Sequence, residues 1–278
     1  MGGREIEFIK AHACGNDFLI VDAAQVDGRD LTRLSREMCA RTTGIGADGV
    51  EYLMQTSERE GRIHLYNADG SQGEISGNGT RCVAAWMAYQ AGLQVGNEVR
   101  IETDAGRRVG RLESAAGAEF RFTTGMGVPT VQRVTVMLDG DVAIEGAVVG
   151  MGNPQFVSVV ENKHFVVAGR MWQEAGAAIC KHPDFPAQTN VEFVRRMADD
   201  LIEIRIYERG VGPTSSSGTG TSASAAAMIA LEGAPSRLRV LAPGGEQLVE
   251  WPSADAELQL TGPAVVLARG QWLAGEIH

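Results

Sequence analysis

Two short stretches of this 278-residue chain carry the residue types that move protons and hold small anions. Ser76-Gly-Asn-Gly-Thr80 and Ser217-Gly-Thr-Gly-Thr221 each lead from a hydroxyl through two glycines into a segment rich in Ala and Met and free of Pro. A glycine loop that opens a helix gathers unpaired backbone N–H groups and the positive end of the helix dipole, which together form a receptor for a carboxylate. The hydroxyls of Ser76 and Ser217 would then stand beside whatever that receptor holds. Two groups acting on opposite sides of one carbon are what racemisation needs, since one takes the α-proton and the other delivers a proton to the far face. Either serine alone reads more simply as a helix N-cap, for which Ser is favoured. The argument for chemistry is that the motif occurs twice.

The recurrence extends beyond the motif. Ser76 to Met87 and Ser217 to Met228 match at a shift of 141 residues, about half the chain. At that same shift Ile63, Leu65 and Tyr66 fall on Ile204, Ile206 and Tyr207, and Val50-Glu51-Tyr52 falls on Val191-Glu192-Phe193. Gly15-Asn16 and Gly152-Asn153 match at a shift of 137, which a short insertion explains. Each half therefore carries the same order of elements, with two domains expected from the length.

Short runs rich in β-branched and aromatic residues, Phe18 to Val21, Ile63 to Tyr66, Phe156 to Val159 and Ile202 to Tyr207, predict strands. Helices are expected over Thr80 to Ala91 and Thr221 to Leu231, with Gly92 and Gly233 as C-terminal caps. Their small residues suit helices enclosed by curved sheets. Leu31 to Arg41 and Val167 to Lys181 read as outer amphipathic helices. Val99 to Phe122 and Leu238 to Leu267 alternate and contain turns such as Pro243-Gly244-Gly245, so much of each sheet should be antiparallel. The fold class is α/β of the α+β kind, with two pseudo-symmetric halves, each a curved, mostly antiparallel mixed sheet around a central helix.

Hydrophobic residues at 44% and charged residues at 22% describe a globular protein, and 35 glycines point to many turns rather than to a helix bundle. A net charge of −10 and the lack of a basic run argue against a nucleic-acid partner. No apolar run reaches the roughly 18 residues of a membrane span, and the start lacks the apolar core of a signal peptide, so neither a membrane nor export is expected. A cytoplasmic location is the expectation. The four cysteines, Cys14, Cys39, Cys82 and Cys180, form no CxxC pair, and neither a zinc cluster nor a disulfide framework is expected. Gly44-Ile-Gly-Ala-Asp-Gly49 fits GxGxxG but precedes a strand, the wrong context for a dinucleotide. No outer strand shows a clear apolar stripe, and whether two copies pair as a homodimer stays open.

Over nearly its whole length the chain resembles the diaminopimelate epimerases. The likeness rests on Phe8-Ile-Lys-Ala-His-Ala-Cys-Gly-Asn-Asp-Phe18, Asn67-Ala-Asp-Gly-Ser71, Gly77-Asn-Gly-Thr-Arg-Cys82, Gly152-Asn-Pro154, Asn190-Val-Glu-Phe193, Tyr207-Glu-Arg-Gly-Val-Gly212, Gly218-Thr-Gly220 and Leu260-Thr-Gly-Pro-Ala264. The resemblance implies an isomerase that works without pyridoxal phosphate or any other cofactor. Its substrate would be a small amino acid, with LL- and meso-diaminopimelate interconverted on the route to lysine and peptidoglycan precursors. It also implies a first half of residues 1–124 completed by 265–278, a second half of 125–264, and an active site in the cleft between them. Asn16, Asn67, Asn153, Asn190 and Arg209 would hold the far end of the substrate. The amides of Gly77-Asn78 and Gly218-Thr219 would hold the carboxylate at the reacting carbon.

The chain departs from the family in its chemistry. Where the family has a cysteine at each active position this chain has Ser76 and Ser217, and the family histidine after Gly-Asn-Pro is Gln155. An amide cannot take up a proton at neutral pH. Glu208, the partner of the second thiol, is retained. A thiol ionises near ~8.5 and an unactivated alcohol nearer water's ~15.7, so forming the base costs up to about 10 kcal/mol more. Concerted transfer and the helix ends reduce that figure. Cys82 reads as a packing residue, and Cys14, beside Asn16, is a conceivable substitute thiol. Two other readings stand beside the epimerase: a homologue that binds the ligand without turning it over, and an isomerase or dehydratase of another small carboxylic acid.

Overall fold

The computed structural model describes residues 5–73 and 75–273. The ends of the expected first half, residues 1–4 and 274–278, lie outside the described residues. The chain divides into two compact units, residues 1–124 with 262–278 and residues 125–261.

The first unit contains β1 (Ile6–Ala13), β2 (Asn16–Asp22), α1 (Leu31–Cys39), β3 (Gly49–Gln55), β4 (Glu60–Asn67), β5 (Gln72–Gly73), α2 (Gly77–Ala91), β6 (Glu98–Thr103), β7 (Gly106–Ala116) and β8 (Glu119–Gly125). Cys14 and Gly15 join β1 to β2 with φ of 50° and 78°, the two positive values that a tight hairpin turn of matching twist requires. Strands β1 and β2 are antiparallel, β2 and β3 parallel, β3 and β4 antiparallel, β4 and β6 parallel, and β6, β7 and β8 antiparallel. Helix α2 runs through this sheet with Cys82, Val83, Ala84, Ala85, Met87 and Ala88 buried, packed against Phe18, Ile63, Val99 and Phe122. A helix apolar on every side belongs inside a core, and its alanines let the strands come close.

The second unit contains β9 (Thr130–Leu138), β10 (Val142–Gly150), β11 (Pro154–Val159), β12 (Val166–Val167), β13 (Arg170–Met171), α3 (Trp172–Cys180), β14 (Asn190–Ala198), β15 (Leu201–Glu208), β16 (Gly212–Thr214), α4 (Gly218–Glu232), β17 (Arg237–Ala242), β18 (Gly245–Glu250) and the first residues of β19 (Gln259–Trp272), whose part from Gly262 onward belongs to the first unit. The order β10-β11-β14-β15-β17-β18-β19 repeats β1-β2-β3-β4-β6-β7-β8, strand for strand and with the same parallel or antiparallel sense at every step. Helix α4 takes the place of α2, with its small residues packed against Val194, Ile204, Val240 and Leu258. The duplicated architecture read from the sequence is thus present element by element.

The expected elements differ from the observed ones mainly at their ends. Helices α2 and α4 begin at Gly77 and Gly218, three residues before the expected starts, because Ser76 and Ser217 cap them. Both end at left-handed glycines as expected, Gly92 at φ 62° and Gly233 at φ 64°. The helix expected from Val167 starts only at Trp172. Ala168 and Gly169, at φ 50° and 77°, turn the chain into the small β12–β13 hairpin first. No helix among the described residues is long and apolar enough to cross a membrane.

Candidate functional site

In the first unit Ser76 sits in extended backbone conformation at the head of α2, and its Oγ accepts a hydrogen bond from the Gly79 amide at 3.0 Å. The N-cap expected of a serine there is present. Gly77 follows, exposed, and Asn78 is buried. The side chain of Asn78 is held from both sides, because its Oδ1 accepts from Arg81 Nη2 at 2.5 Å while its Nδ2 donates to Asn16 Oδ1 at 3.3 Å. Asn16 Nδ2 in turn donates to Asp48 Oδ2 at 2.7 Å. Arg81 is itself buried, and its Nε donates to the carbonyl of Pro263 at 3.1 Å. Burial pulls the Arg81 pKa below its ordinary value. Asn16 and Asn78, far apart in sequence, are thereby brought together and oriented. Asn67, exposed at the end of β4, is tied to Ser71 Oγ at 3.0 Å.

In the second unit Ser217 caps α4, accepting from the Gly220 amide at 3.3 Å, and lies 3.4 Å from the Thr219 hydroxyl. The Ser217 hydroxyl also stands beside the carboxyl of Glu208 at the end of β15 and favours its ionised form. Burial pushes Glu208 above the usual carboxylate range, and the neighbouring Ser217 hydroxyl offsets part of that rise. A serine paired with a carboxyl whose affinity for protons is raised is the arrangement of an acid–base group. Asn190 begins β14 and accepts from the Arg209 amide at 3.0 Å, while Arg209 Nη1 donates to the carbonyl of Ala187 at 3.1 Å. Asn153 Oδ1 accepts from Gln155 Nε2 at 2.8 Å. Gln155 therefore orients Asn153, and its own Oε1 is buried without a partner.

Two carboxyls were not singled out as site residues by the sequence reading. Glu51 on β3 and Glu192 on β14 are both 0% exposed, and neither oxygen of either one has a hydrogen-bond partner. A Cβ placed on Gly79 would lie 2.0 Å from Glu51 Oε1 and 3.2 Å from Ser76 Cβ; one placed on Gly220 would lie 2.7 Å from Glu192 Oε1 and 3.3 Å from Ser217 Cβ. Each carboxyl thus fills the space beside the capping serine that the glycine leaves open. Burial alone pushes Glu51 up to about 8, and burial with the nearby Glu208 raises Glu192. The signal was in the sequence: a charged residue amid strand hydrophobics, present in both halves at the common shift.

All four cysteines are buried, and none is in a disulfide. Burial drives the Cys82 thiol far up, which leaves it a packing residue. Cys14 is 2% exposed at its hairpin turn.

Comparison with known proteins agrees with this architecture. A family model described as diaminopimelate epimerase matches residues 8–131 and 147–267. The diaminopimelate epimerase of Moorella thermoacetica is 37% identical over 96% of this chain and 99% of its own length, and that of Desulforudis audaxviator is 36% identical over the same shares. Among solved structures, a phenazine biosynthesis protein of the PhzF family from Bacillus anthracis shares the fold, with a TM-score of 0.72 at 15% identity over 98% of this chain and 100% of that one. Matched along almost all of its length, and with the same α+β unit built twice, the chain belongs to the diaminopimelate epimerase family of isomerases.

Proposed function

We propose that this protein epimerises diaminopimelate or a close analogue with hydroxyls in place of thiols. Ser76 and Ser217 exchange the α-proton on the two faces, and Glu208 holds or releases the proton that Ser217 carries. The amides of Gly77-Asn78 and Gly218-Thr219 receive the α-carboxylate, which the helix dipoles favour. Withdrawal of negative charge into those amides also stabilises the carbanion that forms when the α-proton leaves. Asn16, Asn67, Asn153, Asn190 and Arg209 bind the distant amino acid group. No cofactor takes part, and the cytoplasm is where such an enzyme would act.

The observation that carries this reading is the repeated placement of a capping serine at a helix N-terminus, Ser76 on α2 and Ser217 on α4, the second with the buried Glu208 carboxyl beside it. Incubation with LL-diaminopimelate in deuterated water tests it. Deuterium at the α-carbon with formation of the meso isomer is expected, and an unlabelled substrate of unchanged chirality would refute it.

Gln155 favours a second reading, in which the chain binds the ligand without turning it over. Its amide stands where the family has a titratable imidazole. Calorimetric binding of diaminopimelate with no exchange of the α-proton would decide for that reading.

A further inference from the structure

Ser217 has Glu208 as a titratable partner, but the residue at the equivalent register of the first unit is Asn67, which cannot ionise. The carboxyl beside Ser76 is instead that of Glu51. It is fully buried, neither oxygen is hydrogen-bonded, and it lies against the first turn of α2 in the space left by Gly79, next to Ser76. A buried carboxyl without partners destabilises a fold unless something else requires it. The second unit keeps the same feature, Glu192 against Gly220 and Ser217, so the placement is part of the duplicated plan.

We propose that Glu51 is the proton reservoir of the first half-site, acting through the Ser76 hydroxyl. This rests on the reading of Ser76 as an acid–base group. When the first half-site removes the α-proton, the C–H bond breaks and its proton goes to Ser76 Oγ. The hydroxyl proton of Ser76 passes at the same time to the ionised carboxylate of Glu51. The electron pair stays on the substrate, and the serine ends as it began. In the reverse direction protonated Glu51 returns its proton to Oγ as the hydroxyl protonates the carbanion. No redox partner is needed. No hydrogen bond holds the Glu51 oxygens, so none has to be broken for the carboxyl to turn toward the serine.

The groups that face Glu51 are few. Helix α2 brings the buried thiol of Cys82, whose ionisation Glu51 opposes, and no charge on β2 or β4 contributes to the shift of Glu51 itself. Its raised proton affinity is a consequence of burial and predicts a limb near pH 8 in kcat/KM.

The test compares the full-length protein with Glu51→Gln, an isosteric change, using LL-diaminopimelate in deuterated water. The expected result is a fall in kcat of about 100-fold or more, the usual size for loss of an acid–base group, with KM little changed and the limb near pH 8 gone. The double variant Ser76→Ala with Glu51→Gln should be no slower than Ser76→Ala alone, because both changes cut one path. Should Glu51→Gln not fold, Glu51→Asp serves instead. Its shorter side chain draws the carboxyl away from Ser76, lowers kcat roughly tenfold or more and moves the limb. Full kcat and an unchanged pH profile in either folded variant would overturn the proposal while leaving the epimerase reading intact. Absence of exchange in the unmodified protein would remove both.

Discussion

Gly79 and Glu51 divide between them a space that admits only one side chain: a Cβ on Gly79 would sit 2.0 Å from Glu51 Oε1. The glycine is needed for close approach rather than for unusual backbone angles. Gly79→Ala must push the carboxyl off the helix end, and overpacking of this kind costs about 1–3 kcal/mol. The melting temperature should fall by several degrees. Gly77→Ala, where a Cβ would meet nothing within 4 Å, should shift it by no more than about a degree. Calorimetric melting of the two variants checks the contrast.

The same carboxyl makes stability depend on pH in a stated direction. Glu51 rises from 4.5 to about 8 on folding, so the folded protein keeps a proton that the unfolded chain gives up. The stability linked to that proton is whole below pH 4.5, declines as pH rises and is lost above about 8. One such group contributes a slope of roughly 1.4 kcal/mol per pH unit within the window. Glu192 and Glu208 shift in the same direction, whereas Asp17 and Glu203, whose pKa values are lowered, act only at more acid pH. Urea unfolding between pH 5 and 8 should therefore show stability falling with pH, and Glu51→Gln should flatten that fall by about one proton's worth.

The repeated order of elements along the chain, the two enclosed helices and their caps were legible because each depends on short-range rules that the chain obeys twice. Ser76 and Ser217 show the limit of those rules. A serine before Gly-x-Gly satisfies an N-cap equally well with or without chemistry, so its type could not reveal whether a carboxyl stood nearby. Glu51 and Glu192 stand in the repeat, but their position alone does not mark them as site residues, since which way a strand residue points depends on register against β2 and β4, or β11 and β15. That register is set by long-range pairing. The bond between Asn78 and Asn16 is hidden for the same reason, as it joins a hairpin to a helix 62 residues later. The start of α3 at Trp172 was missed because Ala168 adopts a positive φ that its type does not advertise.

Ser217 plays two parts, cap and acid–base group, and they can be separated. Ser217→Ala loses both, with about 1 kcal/mol of stability from the cap. Ser217→Asn keeps a capping oxygen and so should preserve the melting temperature. Both should lower kcat by about 100-fold or more. Glu208→Gln should do the same while leaving the helix untouched. An active Ser217→Asn would mean that the serine is only a cap.

Arg81 is buried among groups that do not neutralise it, held by the Asn78 amide oxygen at 2.5 Å and the Pro263 carbonyl at 3.1 Å. Arg81→Met removes both donors, and the loss of a hydrogen bond from a charged group costs about 1.5–3 kcal/mol. Asn78 would also lose the clamp that turns its amide toward Asn16. The expected outcome is a lower melting temperature together with weaker substrate binding, read as a KM raised roughly tenfold with kcat less affected.

Restoring thiols asks how much of the rate the hydroxyls limit. A thiol near ~8.5 is a far stronger acid than an alcohol, so Cys at position 217 can give up its proton to Glu208 more completely than Ser217 does. Burial opposes this by raising a thiol's pKa, as it does at Cys82 and Cys39, but position 217 differs in standing at a helix N-terminus beside the Gly220 amide. The helix end should win, because its dipole and amide act directly on the sulfur, whereas Cys82 lies a turn further in, among apolar neighbours. Ser217→Cys should therefore raise the rate of α-proton exchange in deuterated water by roughly tenfold or more, and should make the enzyme sensitive to thiol-alkylating reagents. The unmodified protein should resist those reagents, since its four thiols are buried. Combining Ser76→Cys with Glu51→Gln tests the first half-site: the thiol should lose its gain in exchange once the carboxyl that receives its proton is gone. A Ser76→Cys protein that exchanges equally fast with and without Glu51→Gln would show that this carboxyl holds the helix end in place rather than carrying a proton.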